Sequence, residues 1–515
     1  MNLLRDIDHH RAVDTAAIAE FVDETVSRNP VIGLAVGVVH SGKLAYFAGR
    51  GVADIDTHRP ITEDSAFRVA SITKTFSAIA VMQLFEQGVV ELDAPANDYL
   101  TSYRLAPARA GWRQPTVRHL LTHTAGLSEL AHPSGAVRPD FGESTPIGEE
   151  LDSLSDFYRG ELRYHAEPGT RFVYGNHSPA TLGQIVEDVS GVPLADYVRH
   201  RILEPLGMFD SDLVRSPGVS SRLVSGYEIG SRGVKRVAER DMVTTGAASL
   251  FSTPRDMGRY LAALLGGGRN EFGAVLTDET LRSMFEAHYR PDPRIPGMGL
   301  AFFRHEVDGR LVVGHQGTHP GFHSQFLIAP DGEIGAMAFT NGAHQADFWL
   351  PAFVTGLLRR GLGASEHPRR TRQRPEIWPD VCGWYRLTAR LTDVRLRAMM
   401  GFGAEVFVKG GRLMFRFLSP VPALAAGFAL EAEDAADPYS LRLDLSEHGL
   451  DPIKIVFSQD HTGATDRLHL DVMTLTLPKQ PDRLNPRRWV TGVVTGVTAA
   501  TATRMVRSAR THRCR

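Results

Sequence analysis

The first fifty residues combine one amphipathic segment with two short apolar runs. Hydrophobic side chains recur at helical spacing from Ala16 to Val26. The apolar runs Gly33–Val39 and Leu44–Gly49 follow, and the polar turn His40-Ser41-Gly42-Lys43 separates them. A short glycine-containing turn between two apolar runs is typical of a β-hairpin. The pattern therefore predicts a helix and then a hairpin.

A second helical pattern runs from Ser71 to Glu86 and is almost wholly apolar after Lys74. Gly88 lies just beyond it and provides a helix stop. A helix that is hydrophobic on every side is normally buried in the centre of a domain. We therefore expect a central helix that begins at Ser71.

Helical segments and glycine- or proline-rich turns alternate from Val117 to Leu265, after which strand patterns return. The clearest helices are Thr181–Val189 and Met257–Leu265, and the strand patterns are Gly299–Phe303, Leu311–Gly314, Phe322–Ala329 and Gly335–Thr340, the last two joined by Pro330-Asp331-Gly332. Strands at both ends of this region with helices between them predict an α+β fold. One antiparallel sheet is flanked by helices and carries an all-helical subdomain.

The composition changes after residue 360. Between Arg359 and Pro375 the chain has six arginines and hardly any apolar residue, as expected for a linker. Beyond it, strand patterns predict a β-barrel-like domain: Glu405–Lys409 and Arg412–Phe417 around Gly410-Gly411, then Leu441–Leu445, Ile453–Ser458 and Leu468–Leu477. We predict a first domain over 1–360, a linker over 361–375, a barrel over 376–480 and a basic, helical tail over 481–515.

Charge and composition narrow the choice of partner. The 57 Lys and Arg residues nearly balance the 59 Asp and Glu residues among 515, so no overall positive field attracts nucleic acid. A small molecule or peptide is the expected partner, and the oligomeric state stays open. The only cysteines, Cys382 and Cys514, form neither a CxxC pair nor a disulfide framework.

No targeting or membrane signal is evident in the sequence. Met1 to Val31 carries six acidic side chains and no continuous apolar core, unlike a secretory signal peptide. The longest apolar stretch, Trp489–Ala502, is short and interrupted by threonines, so no transmembrane segment is predicted. We expect a cytoplasmic protein whose tail packs on the protein itself or lies at a membrane surface.

The segment Ser71-Ile72-Thr73-Lys74 contains a candidate catalytic serine and lysine. A serine hydroxyl is a weak nucleophile without a neighbouring base, and a lysine can be that base when it loses its proton. The i, i+3 spacing places both side chains on one helix face. The same tetrapeptide would also occur if Ser71 were only a helix N-cap and Lys74 an exposed side chain. The buried helix that follows favours the catalytic interpretation.

These residues and two later motifs resemble the serine β-lactamase and penicillin-binding-protein superfamily, in its branch of class C β-lactamases, D-alanyl-D-alanine carboxypeptidases and esterases. The resemblance covers about residues 15 to 360. It rests on three motifs, which are Phe67 to Lys74, Tyr174-Gly175-Asn176 after Pro168-Gly169-Thr170, and His315-Gln316-Gly317-Thr318 before Pro320-Gly321-Phe322, and on the segment Thr116 to Leu127 that follows the first motif. Three motifs in order at suitable spacing make the resemblance specific.

The resemblance implies a role for each motif residue. Ser71 is the nucleophile, and Lys74 and Tyr174 share the transferred proton. Asn176 holds Lys74 and donates its amide to the substrate, and the backbone N–H groups of Ser71 and Thr318 form the oxyanion hole, where Gly317 allows close approach. His315 stands where β-lactamases have a lysine, and is implied to line the leaving-group side and to form a hydrogen bond with the network near Tyr174.

No cofactor or metal is expected. His119 and His123 are spaced like a metal pair, but Leu120 replaces the glutamate of the metalloprotease motif, so we interpret both as structural. The nucleophile elbow G-x-S-x-G of α/β-hydrolases does not occur.

Three functions remain open at this point. The first is a serine hydrolase of small esters or amides, either an esterase or a D-amino-acid-directed peptidase. The second is an acyltransferase or cyclising thioesterase of the penicillin-binding-protein type, since such enzymes carry a C-terminal lipocalin-like domain that the segment from Trp378 to Tyr385 onward weakly resembles. The third is a slow-acylating β-lactam-binding protein or weak β-lactamase.

Overall fold

The computed structural model describes residues 13–363, 374–434, 436–445 and 450–487. Most of the predicted linker and all of the predicted tail beyond residue 487 lie outside these residues. The predicted boundaries of the two domains therefore stay predictions. Across the described part of the chain, no helix is both long enough and apolar enough to cross a membrane.

The first domain contains short and long strands in the following order. They are β1 Gly33–His40, β2 Lys43–Asp54, β3 Arg59–Pro60, β4 Phe67–Arg68, β5 Arg104–Pro107, β6 Ser144–Pro146, β7 Glu161–Tyr164, β8 Tyr227–Gly230, β9 Gly233–Arg236, β10 Arg240–Met242, β11 Phe251–Ser252, β12 Phe303–Val307, β13 Arg310–His319, β14 Phe322–Ala329 and β15 Ile334–Thr340.

Helices precede, separate and follow these strands. They are α1 Thr15–Arg28, α2 Thr73–Glu86, α3 Val117–Leu121, α4 Leu154–Tyr158, α5 His177–Ser190, α6 Leu194–Val198, α7 Pro217–Arg222, α8 Thr245–Ala248, α9 Pro254–Leu265, α10 Asp278–Phe285 and α11 Ala346–Gly361. A π-helical turn covers Arg199–Leu203 and a 3₁₀ turn covers Ala70–Ile72.

The main sheet joins the two ends of the first domain. Its strand order is β12-β13-β14-β15-β1-β2-β3, and β1 pairs antiparallel with β15 so that Val36 lies opposite Ala338. Along β15, Ala336 and Ala338 pack with α1 and α11, whereas Met337 and Phe339 pack with the core that contains α2 and α9. Because both faces are covered, this strand reads as a continuous apolar run. The predicted α+β fold is confirmed.

One strand lies later than the sequence pattern predicts. The apolar run Gly299–Phe303 is not a strand, because Ala301 has φ of 62° and interrupts the extended backbone. The strand instead covers Phe303–Val307 and pairs with β13 over residues 310–314 of that strand. The second half of β13 therefore extends beyond β12, on the side where the predicted third motif lies.

The C-terminal domain is a closed antiparallel barrel. Its strands are β16 Gly383–Arg386, β17 Gly403–Lys409, β18 Arg412–Phe417, β19 Phe428–Ala432, β20 Ser440–Leu443, β21 Ile453–Gln459, β22 Thr465–Leu470 and β23 Leu475–Gln480, with helices α12 Trp378–Val381, α13 Val394–Met400 and α14 Pro422–Ala425. The predicted barrel is present, but the single strand predicted over Leu468–Leu477 is wrong. Met473 and Thr474 have positive φ values of 55° and 49°, and this turn splits the run into two strands.

The two domains share specific side-chain contacts. Arg294 of the first domain donates to the Phe457 carbonyl at 3.0 Å and pairs with Asp437 at 3.1 Å. Asp292 accepts a 2.6 Å hydrogen bond from Ser458. These partners are held on β21 and the loops around it, so the barrel docks on the first domain through a defined polar interface.

Candidate active site

Ser71 lies in the middle of the 3₁₀ turn that leads into α2. The preceding Ala70 is fully buried and has φ of 48°, a conformation that non-glycine residues adopt only when the surrounding structure holds it. Ser324 of β14 contributes to this by donating a 2.8 Å hydrogen bond to the Val69 carbonyl. The turn therefore presents Ser71, half-buried, at the N-terminus of the central helix.

Lys74 lies one turn further on and is completely buried. Its Nζ is 2.8 Å from Ser71 Oγ, 2.8 Å from Asn176 Oδ1 and 3.1 Å from the Ala247 carbonyl oxygen. Burial lowers the pKa of Lys74 to about 7, against the opposing attraction of Glu143 and with a smaller contribution from Arg395. A substantial fraction of this side chain is therefore neutral at neutral pH.

The three hydrogen-bond partners of Lys74 Nζ differ in whether they can donate a hydrogen bond. Two of them, Asn176 Oδ1 and the Ala247 carbonyl, can only accept hydrogen bonds, so they take two N–H bonds of the amine. In the neutral amine the remaining position is a lone pair, and it faces Ser71 Oγ. This arrangement can accept the proton of the serine hydroxyl.

Tyr174 lies beside Lys74, and together with Ser71 and Asn176 these residues form the polar centre of the site. The Nζ of Lys74 is 5.1 Å from its ring centroid, and the ring packs 4.7 Å from His123 and 5.7 Å from Phe303. Burial raises the pKa of Tyr174 to about 12, although a hydrogen bond with Ser71 opposes the shift. The phenol is therefore protonated at neutral pH and can donate a proton.

Asn176 bridges Lys74 to a buried carboxylate that the sequence analysis missed. Its Nδ2 donates a 2.8 Å hydrogen bond to Oε2 of Glu143, which is 2 % exposed. Thr244 donates a second hydrogen bond to the same oxygen at 3.1 Å. No motif marks Glu143 in the sequence, because it is 33 residues from Asn176 and lies in a loop before β6.

His315 lies on the half of β13 that extends beyond β12. Its Nδ1 is 2.6 Å from the Gln316 carbonyl oxygen, which can only accept, so Nδ1 carries the proton. Its Nε2 is buried and has no hydrogen-bond partner among the described residues, so the expected link to the Tyr174 network is not formed, although the rings lie 6.2 Å apart. Burial, with the nearby Lys74, lowers the pKa of His315 to about 3.

Gly317 and Thr318 follow on the same strand segment. A Cβ atom at Gly317 would lie 3.0 Å from Ser71 N and 2.5 Å from Ser324 Oγ, and closer still to the Val69 carbonyl. The strand therefore approaches the turn that carries Ser71 so closely that a side chain at Gly317 would not fit without a shift. The Thr318 hydroxyl donates a 2.7 Å hydrogen bond to Asp347, at the first turn of α11.

The two histidines of the Thr116–Leu127 motif have different surroundings. His119 forms a capping box with Thr116 at the start of α3. His123 has φ of 56° and packs against Tyr174. No cluster of His, Cys, Asp and Glu suited to a metal ion occurs in the part of the chain that the structure describes.

Residues of the barrel domain contact the first domain next to the polar centre, and no sequence pattern indicates these contacts. The backbone N–H of Arg395, in α13, donates to Glu129 Oε2 at 2.8 Å, and its guanidinium pairs with Glu129 at 3.2 Å. Arg171, three residues before Tyr174, donates to the Thr388 carbonyl at 2.9 Å. The Arg395 charge also lowers the pKa of both Lys74 and Tyr174, so it lies close to the polar centre.

Comparison with known families and proteins gives consistent results for the first domain. A family model described as beta-lactamase matches residues 18–353. The chain is 30 % identical over 344 residues to the esterase EstB of Burkholderia gladioli, covering 60 % of this chain and 85 % of that protein. It is 27 % identical over 368 residues to penicillin-binding protein 4 of Amycolatopsis lactamdurans, covering 69 % and 86 %.

Two solved structures share the fold of both domains. One is described as an octameric penicillin-binding protein homologue from Pyrococcus abyssi, with a TM-score of 0.58, 23 % identity, and coverage of 90 % of this chain and 100 % of that one. The other, described as SurE with D-Leu, has a TM-score of 0.56, 20 % identity and coverage of 90 % and 99 %.

Proposed function

Because the chain belongs to the beta-lactamase family, a family of serine hydrolases, we propose that it cleaves small esters or amides through an acyl-enzyme on Ser71. One observation carries this proposal. The Lys74 amine is buried, 2.8 Å from Ser71 Oγ, and both of its other partners are obligate acceptors. A lysine in this setting is a base for the serine and not a surface charge.

Acylation then proceeds in two proton transfers. Neutral Lys74 takes the Ser71 proton as Oγ bonds to the carbonyl carbon of the substrate, and the backbone N–H groups of Ser71 and Thr318 bind the resulting oxyanion. As the tetrahedral intermediate collapses, the bond to the leaving group breaks, and protonated Tyr174 supplies the proton that the leaving group needs. Lys74 returns its proton to Tyr174.

Deacylation reverses these roles with water in place of the leaving group. The same pair removes a proton from water, which attacks the acyl carbon, and Ser71 Oγ leaves with a proton. The acid is released and the free enzyme is restored. No cofactor or metal is required at any step.

His315 favours esters over β-lactams as substrates. The β-lactamases of this superfamily have a permanently charged lysine at this motif position, and it faces the substrate carboxylate. Here a histidine with a pKa of about 3 is neutral, and its proton is committed to the Gln316 carbonyl. A neutral side chain with a lone pair attracts a carboxylate poorly. The name of the esterase relative from Burkholderia gladioli supports the same preference.

The test compares two substrates on one preparation at neutral pH. We expect kcat/KM for a p-nitrophenyl acyl ester to exceed kcat/KM for a chromogenic cephalosporin by about a hundred-fold or more, the loss expected when a charged contact is missing. A cephalosporin value equal to or above the ester value would restore the β-lactamase interpretation. Acylation by the cephalosporin without turnover of the ester would favour a slow-acylating binding protein.

Acyl transfer is the second outcome that the assay separates from hydrolysis. Adding an amino-acid amide as an acyl acceptor diverts the acyl-enzyme from water only if the acceptor has a binding site. Formation of an acyl-amide product at the expense of the free acid would identify an acyltransferase.

The proposal also includes a small-molecule acyl substrate and a cytoplasmic location.

A further inference from the structure

Glu143 is a buried carboxylate that none of the family motifs includes. It lies between a 3₁₀ turn, Pro139–Gly142, and strand β6, and backbone hydrogen bonds hold it on both sides. The Glu143 N–H donates to the Asp140 carbonyl at 3.0 Å, and its own carbonyl accepts from the Val243 N–H at 2.8 Å. Its side chain is 3 % exposed, so the carboxylate has a fixed position beneath the site.

The contacts of this carboxylate settle the orientation of Asn176. A carboxylate can only accept, so the Asn176 atom 2.8 Å from Glu143 Oε2 is the NH₂ group. The oxygen of the same amide then faces Lys74 Nζ at 2.8 Å. The amide oxygen toward Lys74 is what leaves the lysine lone pair for Ser71. If the amide were reversed, its NH₂ group would compete for that lone pair.

We propose that Glu143 is a positioning residue for acylation, which fixes the amide of Asn176 and through it the proton-accepting orientation of Lys74. The inference rests on the proposed function, since it concerns the same proton transfer. The side chain of Glu143 contacts Asn176, Thr244 and His177. It acts through Asn176, and Thr244 steadies it with a 3.1 Å hydrogen bond.

The charge of Glu143 allows the proposal to be tested by a second, separate quantity, which is the pH dependence of the acylation rate. The carboxylate attracts the Lys74 ammonium and so raises the pKa of Lys74 against the larger lowering effect of burial. The other charged or titratable groups around Lys74 are Arg395, His123, His177, His315 and Tyr174. Among Glu143 and these five groups of the described residues, Glu143 is the one whose negative charge raises the lysine pKa.

The experiment measures the acylation burst of a p-nitrophenyl ester from about pH 5 to about pH 9 in wild type and Glu143→Gln. Loss of the negative charge should move the acidic midpoint of the rate about one pH unit lower, because the ammonium is less stabilised. Loss of the fixed amide orientation should lower the plateau rate about ten-fold or more. A merely structural role would reduce stability without moving the midpoint.

Asp256→Asn is the matched control. Asp256 is a fully buried carboxylate that accepts 2.8 Å hydrogen bonds from the Ser211 hydroxyl and the Asp210 N–H, and it does not act on Lys74. This variant should lower the melting temperature and keep the wild-type midpoint. An unmoved midpoint in folded Glu143→Gln overturns the inference, whereas a wild type without a Ser71-dependent burst would instead contradict the proposed function.

Glu143→Asp keeps the inference testable if the glutamine variant does not fold. Removing one methylene withdraws the carboxylate from Asn176 but retains the charge in the same loop. We expect the wild-type midpoint with a plateau rate about ten-fold lower. Acylation of Glu143→Asp at the wild-type rate would overturn the inference.

Discussion

Gly317→Ala tests whether the close approach of β13 to the Ala70–Ile72 turn, which carries Ser71, is needed for catalysis. The added Cβ would stand 3.0 Å from Ser71 N and 2.5 Å from Ser324 Oγ, with the Val69 carbonyl nearer still. Carbon and its neighbours normally keep about 3.5 Å or more, so the strand and the turn must separate by about 1 Å. The separation also strains the 2.8 Å hydrogen bond from Ser324 to the Val69 carbonyl.

The size of the effect follows from that displacement. The proposed oxyanion hole uses the backbone N–H groups of Ser71 and Thr318, so moving the two backbones apart widens it directly. A misplacement of about 1 Å costs about a hundred-fold in rate, or about 2.7 kcal/mol of transition-state stabilisation. We expect kcat/KM for the ester to fall by about this factor while the domain remains folded, because overpacking typically costs about 1–3 kcal/mol of stability.

Two other glycines separate a local catalytic effect from a general loss of stability. At Gly314, on the same strand, a Cβ would clash with the Phe326 carbonyl and lie 2.9 Å from Leu327, away from Ser71. At Gly230, in β8, it would meet no atom of the described residues within 4 Å. Melting temperature and kcat/KM are measured for all three alanine variants. If Gly317→Ala loses no more activity than Gly314→Ala at equal loss of stability, the reasoning about the oxyanion hole is refuted.

Three further predictions follow from the polar centre and from the docking of the barrel. Since only neutral Lys74 accepts a proton and its pKa is about 7, the wild-type acylation rate should rise with pH, reach half its maximum near pH 7 and level off above; a rate that is flat through neutrality contradicts this. Tyr174→Phe should slow hydrolysis of an anilide about a hundred-fold or more but affect a p-nitrophenyl ester much less, because p-nitrophenolate leaves without a proton; equal losses would exclude Tyr174 as the acid. Arg171→Met removes the 2.9 Å hydrogen bond to the Thr388 carbonyl and should lower kcat/KM several-fold, since about 1 kcal/mol is lost beside Tyr174. The control Arg282→Met removes an exposed helical ion pair and should leave kcat/KM unchanged.

The sequence predicts best what depends on neighbouring residues. Ser71 and Lys74 share a helix, so their spacing alone brings them together. Strand β15 is covered on both faces and therefore reads as an almost continuous apolar run, and both β14 and β15 have nearly the predicted limits. The apolar run Gly299–Phe303 gives the same signal, but Ala301 turns the backbone to φ of 62° for reasons of tertiary packing that no periodicity reveals.

Contacts between distant segments escape this kind of reasoning. Glu143 is one of 59 acidic residues, and only the folded chain brings it to Asn176 and Thr244. Arg395 reaches the site because the barrel docks through α13, an orientation that strand patterns do not contain. The same limit applies to His315. Its motif position can be recognised in the sequence, but only the fold shows that its Nε2 has no hydrogen-bond partner among the described residues and that burial lowers its pKa.

The central claim is that Ser71 becomes acylated, and mass spectrometry of the intact protein during ester turnover tests it most directly. Rapid acid quenching of the wild type should trap a mass increase equal to the acyl group, and peptide mapping should place it on Ser71. Ser71→Ala removes the bond-forming oxygen without opening a large cavity, so it should stay folded, carry no acyl group, and lose activity by about 10⁴-fold or more. A Ser71→Ala protein that retains more than about one per cent of the activity, or an acyl group mapped to another residue, would contradict the account.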